Sequence, residues 1–345
     1  MSSCVTMHVP EGKALYKKTK VKKAPSEFES ELESLSLQSP NRKALFVFPV
    51  YLKIHYVLRS GKQTKIKKKL NNVLGEKPVY FDSTKMHQSA KQMKSFLINK
   101  GFFNAEIEAN FKLIKKNKKA IVTYTVKPGN RKQVGELNYR IKDTTLRDFI
   151  LGKSFEYLQS GDPFDSDNLV KERERIEHEL RENGYYSFSK SYIYFDVDTS
   201  GKSGKVNIGL SINNPENSNS HYKYSVQDIS IEQDYSLFDT TQKDSIQIDD
   251  IIFIQDEEVI KNIILTNAIQ FSSGDLYSEE EVEKSIASIS DLQVFKFIDV
   301  DFEQIGDTLP NETLPLHCRI RLSPQPKQEL SLQLELNTTE ADEFY

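Results

Sequence analysis

Three times along the chain, the apolar and polar positions run through one order: an alternating strand, two helices with an apolar face, then two more alternating strands. Residues 161–186 display the fixed points best. Their sequence, GDPFDSDNLVKERERIEHELRENGYY, opens on a Gly-Asp-Pro turn, sets an aromatic before Asp165, continues as a charged helix and leaves it through Gly184-Tyr185-Tyr186. Residues 75–103, GEKPVYFDSTKMHQSAKQMKSFLINKGFF, repeat this: Gly101 comes 19 positions after Asp82, and Gly184 comes 19 positions after Asp165. A third copy starts at Gly274 and keeps the turn, the aromatic and the helix. It replaces the Gly-aromatic exit with Leu292, Phe295 and Phe297.

In the first copy, residues 13–23 form a basic strand suited to a sheet edge, where lysines deter unwanted pairing. Ser26 is placed to N-cap a helix to Leu37 that carries Phe28, Leu32 and Leu35 at helical spacing. Residues 42–58 are apolar and aromatic, have no counterpart in the other copies and read as an insertion; residues 62–74 follow as a basic helical connector. Met86, Ala90, Met93 and Leu97 make the face of the next helix, which Gly101 ends. A hairpin follows, with Ala105 to Leu113 and Ala120 to Val126 alternating.

The second copy offers a strand with Leu137, Tyr139 and Ile141, and a helix over 145–151. Its next helix turns Leu169, Ile176 and Leu180 inward and residues 171–175 to water, and two strands end at Asp198 and Ile212. In the third, a strand with Val226, Ile229 and Ile231 leads to a loop over 235–250. A helix carrying Val259, Ile260, Ile263 and Ile264 comes next, then one with Val282, Ile286 and Ile289, and strands at 298–302 and 316–322. The last two strands of each copy pair antiparallel, and the first can join only after a helical crossover. The expected fold is therefore α+β: three tandem β-α-α-β-β modules, each a small three-stranded mixed sheet covered on one face by two helices. The divisions are an N-terminal tether over 1–11, modules over 12–129 (with the insertion at 39–74), 130–215 and 221–327, and a closing segment over 328–345.

Charge divides the chain further. Residues 1–132 hold 28 Lys and Arg against 9 Asp and Glu, while the rest holds 19 against 41, so a net charge of −3 hides a basic first module. Such a surface can face anionic lipid or an acidic partner. Nucleic acid fits poorly, because Lys65, Lys67, Lys68, Lys69 and the lysines of 115–119 lack the interleaved aromatics or arginines that recognise bases. No apolar run reaches the roughly 18 residues of a membrane-spanning helix.

Catalytic chemistry has little to stand on. His178-Glu179-Leu180-Arg181-Glu182 has the start of a zinc-protease helix, but Glu182 stands where the second histidine belongs, and glutamates recur all along the segment. The other five histidines are scattered, and there is no phosphate-cradling glycine loop and no Cys-x-x-Cys. Asp249-Asp250, Asp256 to Glu258 and Glu279 to Glu281 lack the ligand alternation of a calcium loop, and the last two groups suit helix N-termini. The reading is no enzyme, no metal and no cofactor. The two cysteines need separate accounts: Cys318 alternates with Leu316, Ile320 and Leu322 on the buried side of a strand, while Cys4 follows Ser2-Ser3 at the extreme N-terminus.

This tandem order, with its Gly-acidic turns and Gly-aromatic-aromatic exits, resembles the POTRA (polypeptide-transport-associated) repeats of the BamA and TamA outer-membrane insertases over residues 13–327. Cys4, Val9-Pro10-Glu11-Gly12 and Ser39-Pro40-Asn41-Arg42 are similar to the lipoprotein form called TamL. The resemblance implies a periplasmic location at the outer membrane and lipid attachment at Cys4. It also implies unfolded outer-membrane protein segments or a TamB-like periplasm-spanning protein as partners, and a C-terminal β-barrel whose first strand would be the alternating leucines at 330, 332, 334 and 336. Client segments would dock by strand addition on the hairpin's outer strand in each module: Ile107 and Phe111, Tyr192 and Tyr194, Ile298 and Val300. The alternative is a structural scaffold that docks a partner through the basic first module without binding clients.

Overall fold

The computed structural model describes residues 8–42, 49–60, 64–153, 155–201, 204–216, 218–236, 243–256, 258–306 and 313–325. Cys4, the apolar run at 44–48 and the leucine-rich segment near the C-terminus lie outside them. The chain divides into two compact units, one made of residues 1–140, 154–172 and 194–211, the other of 141–153, 173–193 and 212–345.

In the first unit, β1 (Leu15–Lys22) runs parallel to β3 (Lys119–Lys127), which pairs antiparallel with β2 (Glu106–Ile114), giving the order β1-β3-β2. The central strand alternates strictly. Val122, Tyr124 and Val126 point into a core shared with Leu32 of α1 (Glu29–Ser34) and with Met86, Met93 and Leu97 of α4 (Ser83–Asn99). Asp82 caps α4 by accepting from the Thr84 N–H at 2.8 Å. Ser26, in contrast, caps nothing: it lies inside a short 3-10 turn entered at Pro25, whose fixed φ starts the turn. The insertion forms two helices, α2 (Val50–Arg59) and α3 (Lys65–Leu74), linked by a 3.1 Å contact of His55 Nδ1 with Asn71 Oδ1. Most of the sheet β4-β6-β5 (Gln133–Ile141, Lys205–Ile212 and Ile193–Asp198) also belongs to this unit.

One residue expected to face water is buried. Glu172, in the helix α6 (Ser166–Arg181) within the span 171–175, is fully buried and accepts from the N–H groups of Glu156 and Tyr157 at 3.2 and 3.1 Å. It satisfies loop amides that would otherwise be orphaned.

The second unit contains α5 (Thr144–Leu151), capped by Asp143, and a sheet ordered β10-β11-β7-β9-β8. These strands are β7 (Lys223–Glu232), β8 (Ser245–Ile248), β9 (Ile251–Ile254), β10 (Phe295–Gln304) and β11 (Thr313–Pro324). This sheet has five strands where three were expected. Part of the expected loop is β8, paired to β9 through the two-residue turn Asp249-Asp250, with Asp249 at φ +51°; β9 then lies parallel to β7 and buries Ile251 and Phe253. Asp tolerates this backbone region, which two-residue hairpins require.

The next helix also departs from expectation. α7 (Asn262–Ala268) starts after Val259 and Ile260, buries Asn262, Leu265 and Ala268, and leaves Ile263 and Ile264 exposed. Its phase follows a buried amide group, in which the Gln233 side chain donates to Gln255 at 2.8 Å and to Asn262. α8 (Glu279–Asp291), capped by Ser278, completes the core with Ile289, and Cys318 lies fully buried between Leu316 and Ile320, as its alternation predicts.

Candidate functional site

The residues expected to dock partners lie on or beside three strands, β2, β5 and β10, and each strand is the outermost of its sheet. Among the described residues no strand pairs with their outer edges. The opposite side of each first strand is closed at its start by the Gly-acidic turn. The Tyr16 N–H donates to Val79 and the Phe81 N–H to Ala14, both at 2.8 Å; the Val134 N–H donates to Asp162 at 2.8 Å; and the Val226 N–H donates to Asp275 at 2.9 Å. The recurrent turn is thus a one-bridge extension of the sheet beyond β1 and β4, on the edge opposite β2 and β5; in the five-stranded sheet it joins β7, an inner strand, on the side that β9 also takes, and β8 forms the edge opposite β10.

Each open edge also bears one exposed aromatic: Phe111 in β2 is 48% exposed, Tyr194 in β5 50% and Phe297 in β10 64%. Ile107, Ile298 and Val300 are partly buried against the cores, so they shape the edge strands from the covered face. Tyr192 precedes β5, in a 3-10 turn where it contacts Phe188 and His221 at ring distances of 5.7 and 4.9 Å. Phe297 lies within the expected docking strand, 295–302, but is not one of the residues singled out there; simple alternation would put it on the same face as buried Phe295. A bulge between the two in the pairing with β11 turns it outward.

The Gly-aromatic exits do more than stop helices. In the first unit the Lys132 N–H donates to the Gly101 carbonyl at 2.9 Å, the Phe164 N–H donates to Lys132 at 2.9 Å, and Phe103 meets Phe164 at 5.3 Å between ring centres. In the second unit the same places are taken by Tyr224, whose N–H donates to the Gly184 carbonyl at 2.8 Å, by Tyr277, whose N–H donates to Tyr224 at 3.0 Å, and by Tyr186, 5.0 Å from the Tyr277 ring. Both glycines have φ above +90°. Each exit therefore docks on the start of the next repeat's first strand and on its turn.

Charges fasten both joints. Lys100 Nζ lies 2.8 Å from Asp165 and 2.7 Å from Asp167; burial works to lower its pKa, but the hydrogen bonds to these carboxylates outweigh it and hold it above the ordinary lysine value. Arg181 lies 2.7 Å from Glu279, while Glu182 accepts from Ser278 Oγ and from the Glu280 N–H, both at 2.7 Å.

This second joint explains the charged helix that invites a search for chemistry. His178, Glu182 and Glu279 come within 4.8 Å of one another beside an open cleft that Arg181 also lines. Both Glu182 oxygens are already acceptors and Glu279 faces a guanidinium, so the cluster reads as the N-terminal anchor of α8, where carboxylates suit the helix dipole. Asp256 and Glu258 stand ahead of α7, where Glu258 accepts from the Asn262 N–H at 2.9 Å. Among the described residues no helix is long and apolar enough to cross a membrane.

Residues 54–129 match the family model POTRA, described as surface antigen variable number repeat. No curated protein matches the chain. Solved structures similar to it include the POTRA3-5 segment of BamA from Haemophilus influenzae, at 13% identity over 91% of this chain and 99% of that one, with a TM-score of 0.41. The N-terminal domain of Omp85 from Thermosynechococcus elongatus is 12% identical over 91% and 99%, TM-score 0.29, and CdiB from Escherichia coli is 10% identical over 61% and 32%, TM-score 0.25. The family match in sequence is thus to POTRA, over the stretch that carries α3, α4 and the hairpin of β2 and β3.

Proposed function

We propose that this chain is the periplasmic POTRA region of an outer-membrane protein assembly factor of the BamA and TamA kind. In this reading it receives extended client or partner segments by strand addition on β2, β5 and β10 and passes them to a transmembrane β-barrel. The observation that carries this is the asymmetry of the sheets. In the two three-stranded sheets the chain's own turn extends the start of one edge, while β2, β5 and likewise β10 take no strand on their outer sides among the described residues and each bears one exposed aromatic. Main-chain hydrogen bonds of an added strand supply affinity with little regard for sequence, and a neighbouring aromatic adds contact area. Lipidation at Cys4, the TamL subtype and a TamB-like partner belong to the same proposal through the sequence resemblance.

Successive residues of an edge strand point their N–H groups alternately into the sheet and outward. Prolines placed singly at Asn110 and at Phe111 therefore separate the two directions. With a photo-crosslinking residue at Tyr194 or Phe297 as an internal reference, one of the two prolines should abolish crosslinking of an unfolded outer-membrane protein segment to β2 while leaving thermal stability unchanged. Undiminished crosslinking in both variants refutes strand addition at this edge.

A further inference from the structure

Between Glu33 and Glu76 the chain runs for 42 residues without an acidic side chain and carries nine Lys and Arg. Within this stretch α3 sorts its residues by face. Ile66, Leu70, Val73 and Leu74 fall in one stripe at helical spacing, Lys67 and Lys69 flank it, and Lys65 and Lys68 lie further round. The stripe is not core: Ile66 and Val73 are each 72% exposed, with Leu70 and Leu74 above 40%. Its polar side, through Asn71, holds α2, which exposes Val57 as well. A ten-residue helix with four adjacent exposed apolar side chains is costly to leave in water, since scattered single residues, not stripes, are the norm on soluble surfaces.

We infer that α3 is an interfacial helix that lies on an anionic lipid surface, with Ile66, Leu70, Val73 and Leu74 entering the acyl boundary and Lys67 and Lys69 reaching the headgroups. Two observations select lipid over a macromolecular partner. The lysines border the apolar stripe on both sides, where their stems can run along it and place the ammonium groups at headgroup level. The absence of acidic residues throughout α2 and α3 leaves nothing to repel an anionic surface. An oligonucleotide or an acidic polypeptide would use the lysines but would gain nothing from the apolar stripe. The inference is independent of strand addition, which uses β2, β5 and β10.

The chain contains no tryptophan, so Ile66→Trp introduces a single reporter. The full chain carrying it is mixed with vesicles of two parts phosphatidylcholine to one part phosphatidylglycerol, and separately with pure phosphatidylcholine vesicles. The expected result is a blue-shifted, enhanced emission with the anionic vesicles and none with the neutral ones. In co-sedimentation, Ile66→Ser with Val73→Ser should weaken binding about tenfold or more, and Lys67→Gln and Lys69→Gln about fivefold each. Ile66, Val73 and Lys69 are exposed, and Lys67 is half-buried with its Nζ 3.4 Å from the Ser60 carbonyl, a contact within the insertion, so strand-addition crosslinking in the same variants should be unchanged. No emission shift with anionic vesicles overturns the inference. So does sedimentation that the serine pair leaves intact, or a shift produced by polyglutamate or an oligonucleotide but not by vesicles.

Discussion

Gly101 and Gly184 occupy equivalent joints, yet an alanine at each should have different consequences. Both have positive φ, +91° and +94°, so a side chain costs roughly 1–2 kcal/mol at either position. A Cβ at Gly184 meets the Leu276 Cδ2 at 3.3 Å and Lys223 Cβ at 3.4 Å, side-chain atoms that can yield by a few tenths of an ångström. At Gly101 the Cβ comes to 2.8 Å from the Phe164 carbonyl oxygen and 3.3 Å from that of Lys132. Those are backbone atoms of the very turn and strand that Gly101 docks, so the substitution must also open the hydrogen bond from the Lys132 N–H, a further loss of about 1 kcal/mol. Hydrogen exchange reads both joints directly, because in each an amide of the docked strand, Lys132 or Tyr224, donates to the glycine carbonyl. Gly184→Ala should lower protection of the Tyr224 amide roughly tenfold, and Gly101→Ala that of the Lys132 amide roughly a hundredfold, at about 1.4 kcal/mol per decade. Equal losses at the two amides, or full protection of Lys132 in Gly101→Ala, would refute the joint as described.

Other outcomes follow from the same geometry. Lys100→Met should cost about 1.5–3 kcal/mol in urea unfolding, and a double-mutant cycle with Asp165→Asn should recover part of it, because the partly buried pair is what is lost. Glu172→Leu strands the amides of Glu156 and Tyr157, at about 1–3 kcal/mol each, with faster exchange confined first to that loop; Glu172→Gln, which keeps a carbonyl acceptor, should cost less. His221 is buried against Phe188 and Tyr192, and this burial depresses its pKa below the ordinary 6.5, with its Nε2 3.0 Å from the Asn213 carbonyl and the Asp143 carboxylate opposing the shift. The unfolded chain then binds the proton first, so stability is full above pH 6.5 and declines as pH falls from there toward the depressed folded value. His221→Gln should flatten denaturation midpoints across that window, and an unchanged slope would count against burial as the cause.

The helix faces were legible because burial there is written at a fixed period in neighbouring residues. Met86, Met93 and Leu97 point inward as their spacing requires, and so do Ile176 and Leu180. The alternation from Leu316 to Leu322 likewise marks one buried face of β11, and Gly101 and Gly184 stand where α4 and α6 end, whereas α8 runs out through Gln293 at φ +55°. Local rules failed where a distant partner decided the matter. The phase of α7 follows a buried amide group contributed by Gln233 and Gln255, so apolar Ile263 and Ile264 face out. The hairpin of β8 and β9 was hidden because its strands are four residues long and its tight turn carries aspartates in place of glycine.

The amino-acid sequence by itself determined the repeat, the order of elements and the faces they bury, since periodicity and turn chemistry act within a few residues. Tertiary structure alone decided which backbone edges stay open, because edge status depends on what another part of the chain pairs with. The turns at 79–81, 161–164 and 274–277 read as punctuation in sequence, yet each bridges the start of a first strand, closing an edge in the two three-stranded sheets and joining the inner strand β7 in the third. Likewise the apolar stripe of α3 is written in its sequence, but only packing could show whether another element covers it.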